Sequence, residues 1–154
     1  MKPILIASDH AGFALKEKLK SYMRRIGLEA KDLGTYSDER CDYPAFAYKL
    51  AKAISEKKYN RGILICKSGI GNSIVANRLR GVRATLCYNT KAARLAREHN
   101  DSNVLVLGSG FVSEASAKKI LQVWLNAEFL AGRHKRRLNQ IKEIERQICS
   151  ERKI

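Results

Sequence analysis

The chain has 154 residues, a length that fits one domain, and 45% of them are hydrophobic, enough to build a core. Thirty Lys and Arg against fifteen Asp and Glu leave a formal net charge of +15, so nucleic acid, an anionic membrane surface and small phosphorylated molecules all qualify as partners. Charges interrupt every apolar run after a handful of residues, which excludes a spanning helix, and the run before Asp9 is too short for a secretory signal, so a cytoplasmic protein is expected. Cys41, Cys66, Cys87 and Cys149 are scattered with no Cys-x-x-Cys pair, which argues against a zinc site and, in a reducing compartment, against a disulfide framework.

In chain order, residues 3–7 read as a first strand, and Ser8-Asp9-His10-Ala11-Gly12 follows it. Leu15, Leu19, Tyr22, Met23 and Ile26 then form one apolar helical stripe, with Gly27 placed as a C-terminal stop. A strand at 28–33 and a helix at 43–56 come next, then a strand at 62–66 and a helix at 72–79. A strand at 82–87, a helix at 90–98, a strand at 104–107 and a helix at 114–130 complete the alternation. The strands are short runs of Ile, Val and Leu, the pattern of strands buried on both faces. Strict alternation predicts an α/β, Rossmann-like three-layer fold with a five-stranded parallel sheet, in which ligands bind at the carboxyl ends of the strands.

After Gly132 a helix is expected over 134–149, with Leu138, Ile141, Ile144 and Ile148 as a narrow apolar stripe on a charged segment. Such a helix packs either on its own domain or across a partner subunit. The expected organisation is a core over 1–131 and a basic C-terminal helix over 132–154 that belongs to the same domain.

The richest segment runs from Ile63 through Cys66, Lys67, Ser68, Gly69, Ile70 and Gly71 to Ser73, a strand that enters a glycine-containing turn and then a helix. Backbone N–H groups at such a turn hold anions. The glycine pattern is neither the dinucleotide fingerprint nor the Lys-Ser/Thr-ended phosphate loop. Cys66 ends the strand, where a helix field favours a thiolate able to act as a base. Asp9 and His10 follow the first strand in the same way, although Asp9 also reads as an N-cap. His99, Asn100 and Asp101 precede the last strand instead, so in a parallel sheet they lie at the edge opposite Cys66; a site using both needs a second subunit. Arg133, His134 and Arg137 have spacings that fit one helical flank suited to a phosphate dianion.

These residues, together with Gly34-Thr35-Tyr36, Asp42-Tyr43-Pro44, Ala76-Asn77-Arg78 and Gly132-Arg133-His134, resemble type B ribose-5-phosphate isomerases and the related galactose-6-phosphate isomerase subunits over nearly the full length. The resemblance implies an aldose–ketose isomerase of the pentose phosphate type working through an enediolate, in a homodimer that can pair into tetramers, with the C-terminal helix crossing to the partner subunit. Cys66 would move the proton between C1 and C2, Ser68 would assist at the sugar oxygens, His99 would open the furanose ring, and Asp9 and Tyr43 would lie close to the sugar. Backbone N–H groups of Lys67, Ser68, Gly69, Ile70 and Gly71, with the Asn100 side chain, would hold the enediolate; Arg133 and Arg137, helped by His10 or His134, would hold the phosphate. No metal or cofactor is implied.

Two positions depart from the family pattern. Lys67 stands where the family usually has glycine, and is strained if the turn needs φ > 0 there. Gly110 stands where bacterial members usually have a phosphate-contacting arginine. Alternative substrates are therefore galactose 6-phosphate or allose 6-phosphate. A nucleic-acid-binding module is the non-enzyme alternative; dispersed basic residues, 7% aromatic content and no binding motif argue against it.

Overall fold

Burial decides which strands take the centre. In a computed structural model describing residues 2–151, the strands are β1 (Ile4–Ser8), β2 (Ala30–Asp32), β3 (Gly62–Cys66), β4 (Ala84–Leu86) and β5 (Val104–Gly108). They form one parallel sheet in the order β2-β1-β3-β5-β4. Every residue of β1, β3 and β5 is buried, as an all-apolar strand requires. The edge strands β2 and β4 are partly exposed and shorter than the sequence predicts, because Lys31 and Thr85 do not belong between two helical layers.

The period of two along each central strand sorts side chains onto two faces. Ile4, Ile6, Ile63, Ile65, Leu105 and Leu107 pack with α1 (Phe13–Arg25), α4 (Thr90–Asn100) and α5 (Glu114–Asn126), around the fully buried Trp124. Leu5, Ala7, Leu64, Val104 and Val106 face α2 (Tyr43–Ser55) and α3 (Ile70–Ala76), where Leu50, Ile54 and Ala76 complete the second core. The result is the expected three-layer architecture. The chain leaves β1 for β2 on one side and β3 lies on the other, so the crevice between the ends of β1 and β3 is the switch point of the sheet.

Element ends show where local chemistry overrules periodicity. α5 stops at Asn126 rather than at 130, because Ala127 turns extended. α3 begins at Ile70 and ends at Ala76, two to three residues earlier at each end than predicted. The Asn77 side chain terminates it. Its Nδ2 donates to the carbonyls of Ser73 and Ala84, at 3.0 and 2.9 Å, while its Oδ1 accepts from Ala84 N–H at 2.9 Å, which ties the helix end to β4.

At the other edge Asp32 pins the loop after β2. Burial alone would raise its pKa, but hydrogen bonds from Lys16, Lys20 and the Gly34 N–H outweigh that and hold it below the ordinary carboxylate value. The loop so fixed pairs with Ser8 at the end of β1: Ser8 N–H donates to Gly34 O and Thr35 N–H to Ser8 O, each at 2.7 Å.

α6 (Gly132–Glu151) starts after a reversal in which Ala131 and Gly132 both take φ near +54° and Leu130 N–H bonds Glu98 O on α4. His134 and Leu138 are buried, whereas Ile141, Ile144 and Ile148 are 44%, 53% and 44% exposed. Most of the apolar stripe thus has no partner within the described chain; residues 152–154 of the expected tail, and residue 1 of the core, lie outside the described residues.

Because Asn77 satisfies two carbonyls and one N–H between α3 and β4, Asn77→Ala should cost about 1–3 kcal/mol of stability with an unchanged fold, read by urea denaturation.

Candidate active site

Cys66 closes β3 and is 4% exposed, with the Gly69 N–H donating to its Sγ at 3.1 Å. Gly69 makes that bond by adopting φ +82°, and a Cβ there would stand 2.4 Å from Leu86 Cδ1. The left-handed residue of the turn is therefore Gly69. Lys67 is not among the non-glycine residues with positive φ, so the strain expected at Lys67 is absent. Ser68 is held twice: its Oγ accepts from the Ile70 N–H at 3.2 Å, and its carbonyl accepts from the Tyr88 hydroxyl at 2.8 Å. Gly71 N–H, in the first turn of α3, has no acceptor among the described residues.

Around this turn the neighbouring loops bring polar groups. Asp9 is 6% exposed; its Oδ1 accepts from Gly12 N–H at 3.0 Å, the cap expected of it, and no described residue donates to its second oxygen. His10 Nδ1 lies 3.0 Å from the Cys41 carbonyl oxygen and 3.2 Å from the Cys41 amide, so the ring is fixed in either tautomer and Nε2 is left unengaged. Tyr43, the first residue of α2, lies over Gly71, where a Cβ would fall 2.6 Å from the phenol oxygen. Ser8 Oγ and Asn72 Nδ2 are buried with no hydrogen-bond partner among the described residues.

Lys67 points across Gly110. A Cβ on Gly110 would meet Lys67 Cε at 3.0 Å and Cδ at 3.2 Å, so the absence of a side chain at 110 is what gives this lysine its path. Lys67 is exposed and has no ion pair among the described residues.

His99, Asn100, Arg133, His134 and Arg137 gather elsewhere. His99 stacks on His134 with ring centroids 4.1 Å apart and planes 10° from parallel. Burial, then His99, Arg133 and Arg137, hold His134 below the ordinary imidazole pKa. Arg133 and Arg137 are exposed, while His134 turns inward, so the three do not share one exposed flank as their spacing predicts. The cause is the docking of the first turns of α6 on α4, which takes His134 and Leu138 into the interface. The Asn100 side chain is exposed with no hydrogen bond to a described residue.

These two groups cannot meet in one chain. Cys66 pairs with Gly108 at the end of β5, whereas His99 and Asn100 precede Val104, which pairs with Gly62. Four residue steps of a strand separate the two edges, about 13 Å before any side chain is counted. The larger clefts, of about 650 and 550 Å³, both open at the amino edge and neither is lined by Cys66.

The ribose/galactose isomerase family model matches residues 4–141. The chain belongs to that family. Ribose-5-phosphate isomerase B of Escherichia coli is 43% identical over 145 residues, 94% of this chain and 97% of that protein. Among solved structures, ribose-5-phosphate isomerase B of Clostridium thermocellum is 44% identical, with a TM-score of 0.93 over 96% of this chain and 99% of that one. The Mycoplasma genitalium enzyme with bound ribulose-5-phosphate is 40% identical, with a TM-score of 0.89 over 94% and 96%.

Sequence reasoning missed Tyr88, Ser8 and Asn72. Tyr88 was findable, since it follows β4 at the carboxyl edge; the unpaired state of Ser8 and Asn72 depends on packing that no spacing reveals.

His134 also sets a pH dependence. A depressed folded pKa means the unfolded chain binds more protons, so the stability carried by docked His134 is full above its ordinary value of 6.5 and is lost as pH falls through the lower folded value. Wild type should therefore lose more stability than His134→Gln between pH about 7.5 and about 5.5, measured by denaturant melts.

Proposed function

We propose that the protein is an aldose–ketose isomerase interconverting ribose 5-phosphate and ribulose 5-phosphate, acting in the cytoplasm as a homodimer. The observation that carries this is the family membership at 43% identity to ribose-5-phosphate isomerase B across 94% of the chain, combined with the division of the polar residues between two edges of one sheet. A two-fold dimer brings the carboxyl edge of one protomer to the amino edge of the other, with α6 crossing so that Ile141, Ile144 and Ile148 are covered.

In this reading the substrate phosphate is held by Arg133 and Arg137 from one protomer, and the sugar lies over Asp9, His10 and Tyr43 of its partner. His99 donates a proton to the ring oxygen while the free carboxylate oxygen of Asp9 takes the proton of the C1 hydroxyl, which opens the furanose. Cys66, as thiolate, takes the proton from C2 of the open aldose and the electrons pass to O1, giving the enediolate. The Gly71 N–H, which has no acceptor among the described residues, and the Asn100 amide stabilise the developing oxyanion, each donor being worth about 2.7–4 kcal/mol in comparable sites, while the N–H groups of Gly69 and Ile70 are taken by Cys66 Sγ and Ser68 Oγ. Ser68 relays a proton between the two sugar oxygens, and the Cys66 thiol returns its proton to C1. Cys87, buried and pushed up to about 11, stays a thiol and takes no part.

Lys67 supplies the cation on the Gly110 side of the phosphate. Lys67→Ala should raise KM for ribose 5-phosphate about tenfold to hundredfold, the worth of one charge-assisted hydrogen bond, with kcat little changed because phosphate is held equally in ground and transition states. An unchanged KM would remove Lys67 from the site.

The shared site makes a sharper prediction. Assayed with ribose 5-phosphate well below KM, where loss of phosphate binding also shows as loss of rate, Cys66→Ala and Arg137→Ala should each be nearly inactive alone, yet a refolded equimolar mixture should recover about a quarter of wild-type activity, because half the dimers then contain one intact site of two. No recovery, with mixed dimers shown to form, would overturn the two-protomer site. A panel of five- and six-carbon aldose phosphates with product analysis decides the substrate.

A further inference from the structure

The sugar-phosphate reading leaves much of the +15 charge unused, and the amino edge concentrates part of it. A cleft of about 550 Å³ opens among the loops that precede β3, β4 and β5, with α6 at its rim. Lys57, Arg61, Arg83, Arg97 and Lys142 line it against a single carboxylate, Asp101. Glu145 approaches from α6, with its Oε1 accepting from the Gly81 N–H at 3.0 Å.

The cations outnumber what Asp101 can compensate. Arg83 and Arg97 divide its two oxygens at 2.8 and 2.9 Å. Arg61 has no carboxylate: one of its N–H groups donates to the Leu125 carbonyl at 3.0 Å, and its guanidinium lies 5.6 Å from the Trp124 ring centroid, with that of Arg97 at 5.8 Å from the same ring. Burial, then repulsion from Arg97, lowers the Arg61 pKa. Arg97 is 8% exposed, and its Nε has no hydrogen-bond partner among the described residues. Lys57 and Lys142 are exposed and carry no ion pair among the described residues. Cations held this close on rigid loops repel one another unless an anion joins them.

We propose that this cleft is a binding site for a small polyphosphate anion, the group shared by pyrophosphate and nucleoside polyphosphates. Arg83 also donates to the Asn100 and Asp101 carbonyls and Arg97 to the Ser102 carbonyl, and a linked pair of phosphates offers more oxygens than a single one to the donors left over on cations spread across three loops and a helix. None of the lining residues belongs to the sugar-phosphate site proposed above, so the two assignments stand or fall separately.

The test is calorimetric titration of the full chain with pyrophosphate at fixed ionic strength. The expected result is one saturable site per chain, weakened about tenfold or more in a Lys57→Ala/Lys142→Ala double variant, whose exposed lysines can be removed without disturbing the core. An Arg133→Ala/Arg137→Ala variant should bind pyrophosphate within about threefold of wild type while losing ribose 5-phosphate. Loss of pyrophosphate binding in that second variant, with the lysine double variant unaffected, would place the anion in the sugar-phosphate site and overturn the proposal. So would an absence of saturation, equal displacement by sulfate, or tighter binding of a short single-stranded oligonucleotide through the same lysines.

Discussion

Parallel pairing of β1, β3 and β5 governs the rest of this molecule. A parallel sheet sends every strand end of one kind to the same side, so Ser8, Cys66 and Gly108 finish together, and Ile4, Gly62 and Val104 start together. Residues that follow strands and residues that precede them are then kept apart by the length of the strands. The chain cannot shorten that distance without giving up the buried ladder, in which every residue of the three central strands is shielded from water. Chemistry that needs Cys66 and His99 together must therefore be built from two chains. The exposed isoleucines of α6 are the apolar surface that the proposed partner chain would cover.

Within the carboxyl edge, precision comes from hydrogen bonds that meet in one turn. Gly69 turns back on the sulfur of Cys66, Tyr88 holds the Ser68 carbonyl, and Gly71 leaves the space that Tyr43 occupies. The first contact closes the turn on itself, and Tyr88 and Tyr43 join it from two other segments of the chain. The Asp32 cluster acts one step further out, fixing the loop that pairs with Ser8.

Much of this was legible in the sequence. β3 runs over the predicted residues, because Gly62 to Cys66 is an uninterrupted apolar run between Arg61 and Lys67. The opposition of Cys66 and His99 followed from element order alone. Periodicity failed where a side chain imposed an end, as Asn77 does on α3, and where an edge strand lacked a second layer, as in β2. It also misplaced His134: spacing assigns a helical face but not which face docks, and contact with α4 turned this ring inward. The passage of Lys67 over Gly110 was beyond reach, since it joins residues in the loops that follow two separate strands.

Trp124 is the only tryptophan in the chain. It is fully buried, its indole N–H donates to Ser102 Oγ at 3.2 Å, and the guanidinium groups of Arg61 and Arg97 lie against its ring. Its fluorescence is therefore a local optical probe built into the fold. Emission arises from a dry ring flanked by two cations, so a change in the charge at the amino edge shifts the spectrum without label or mutation.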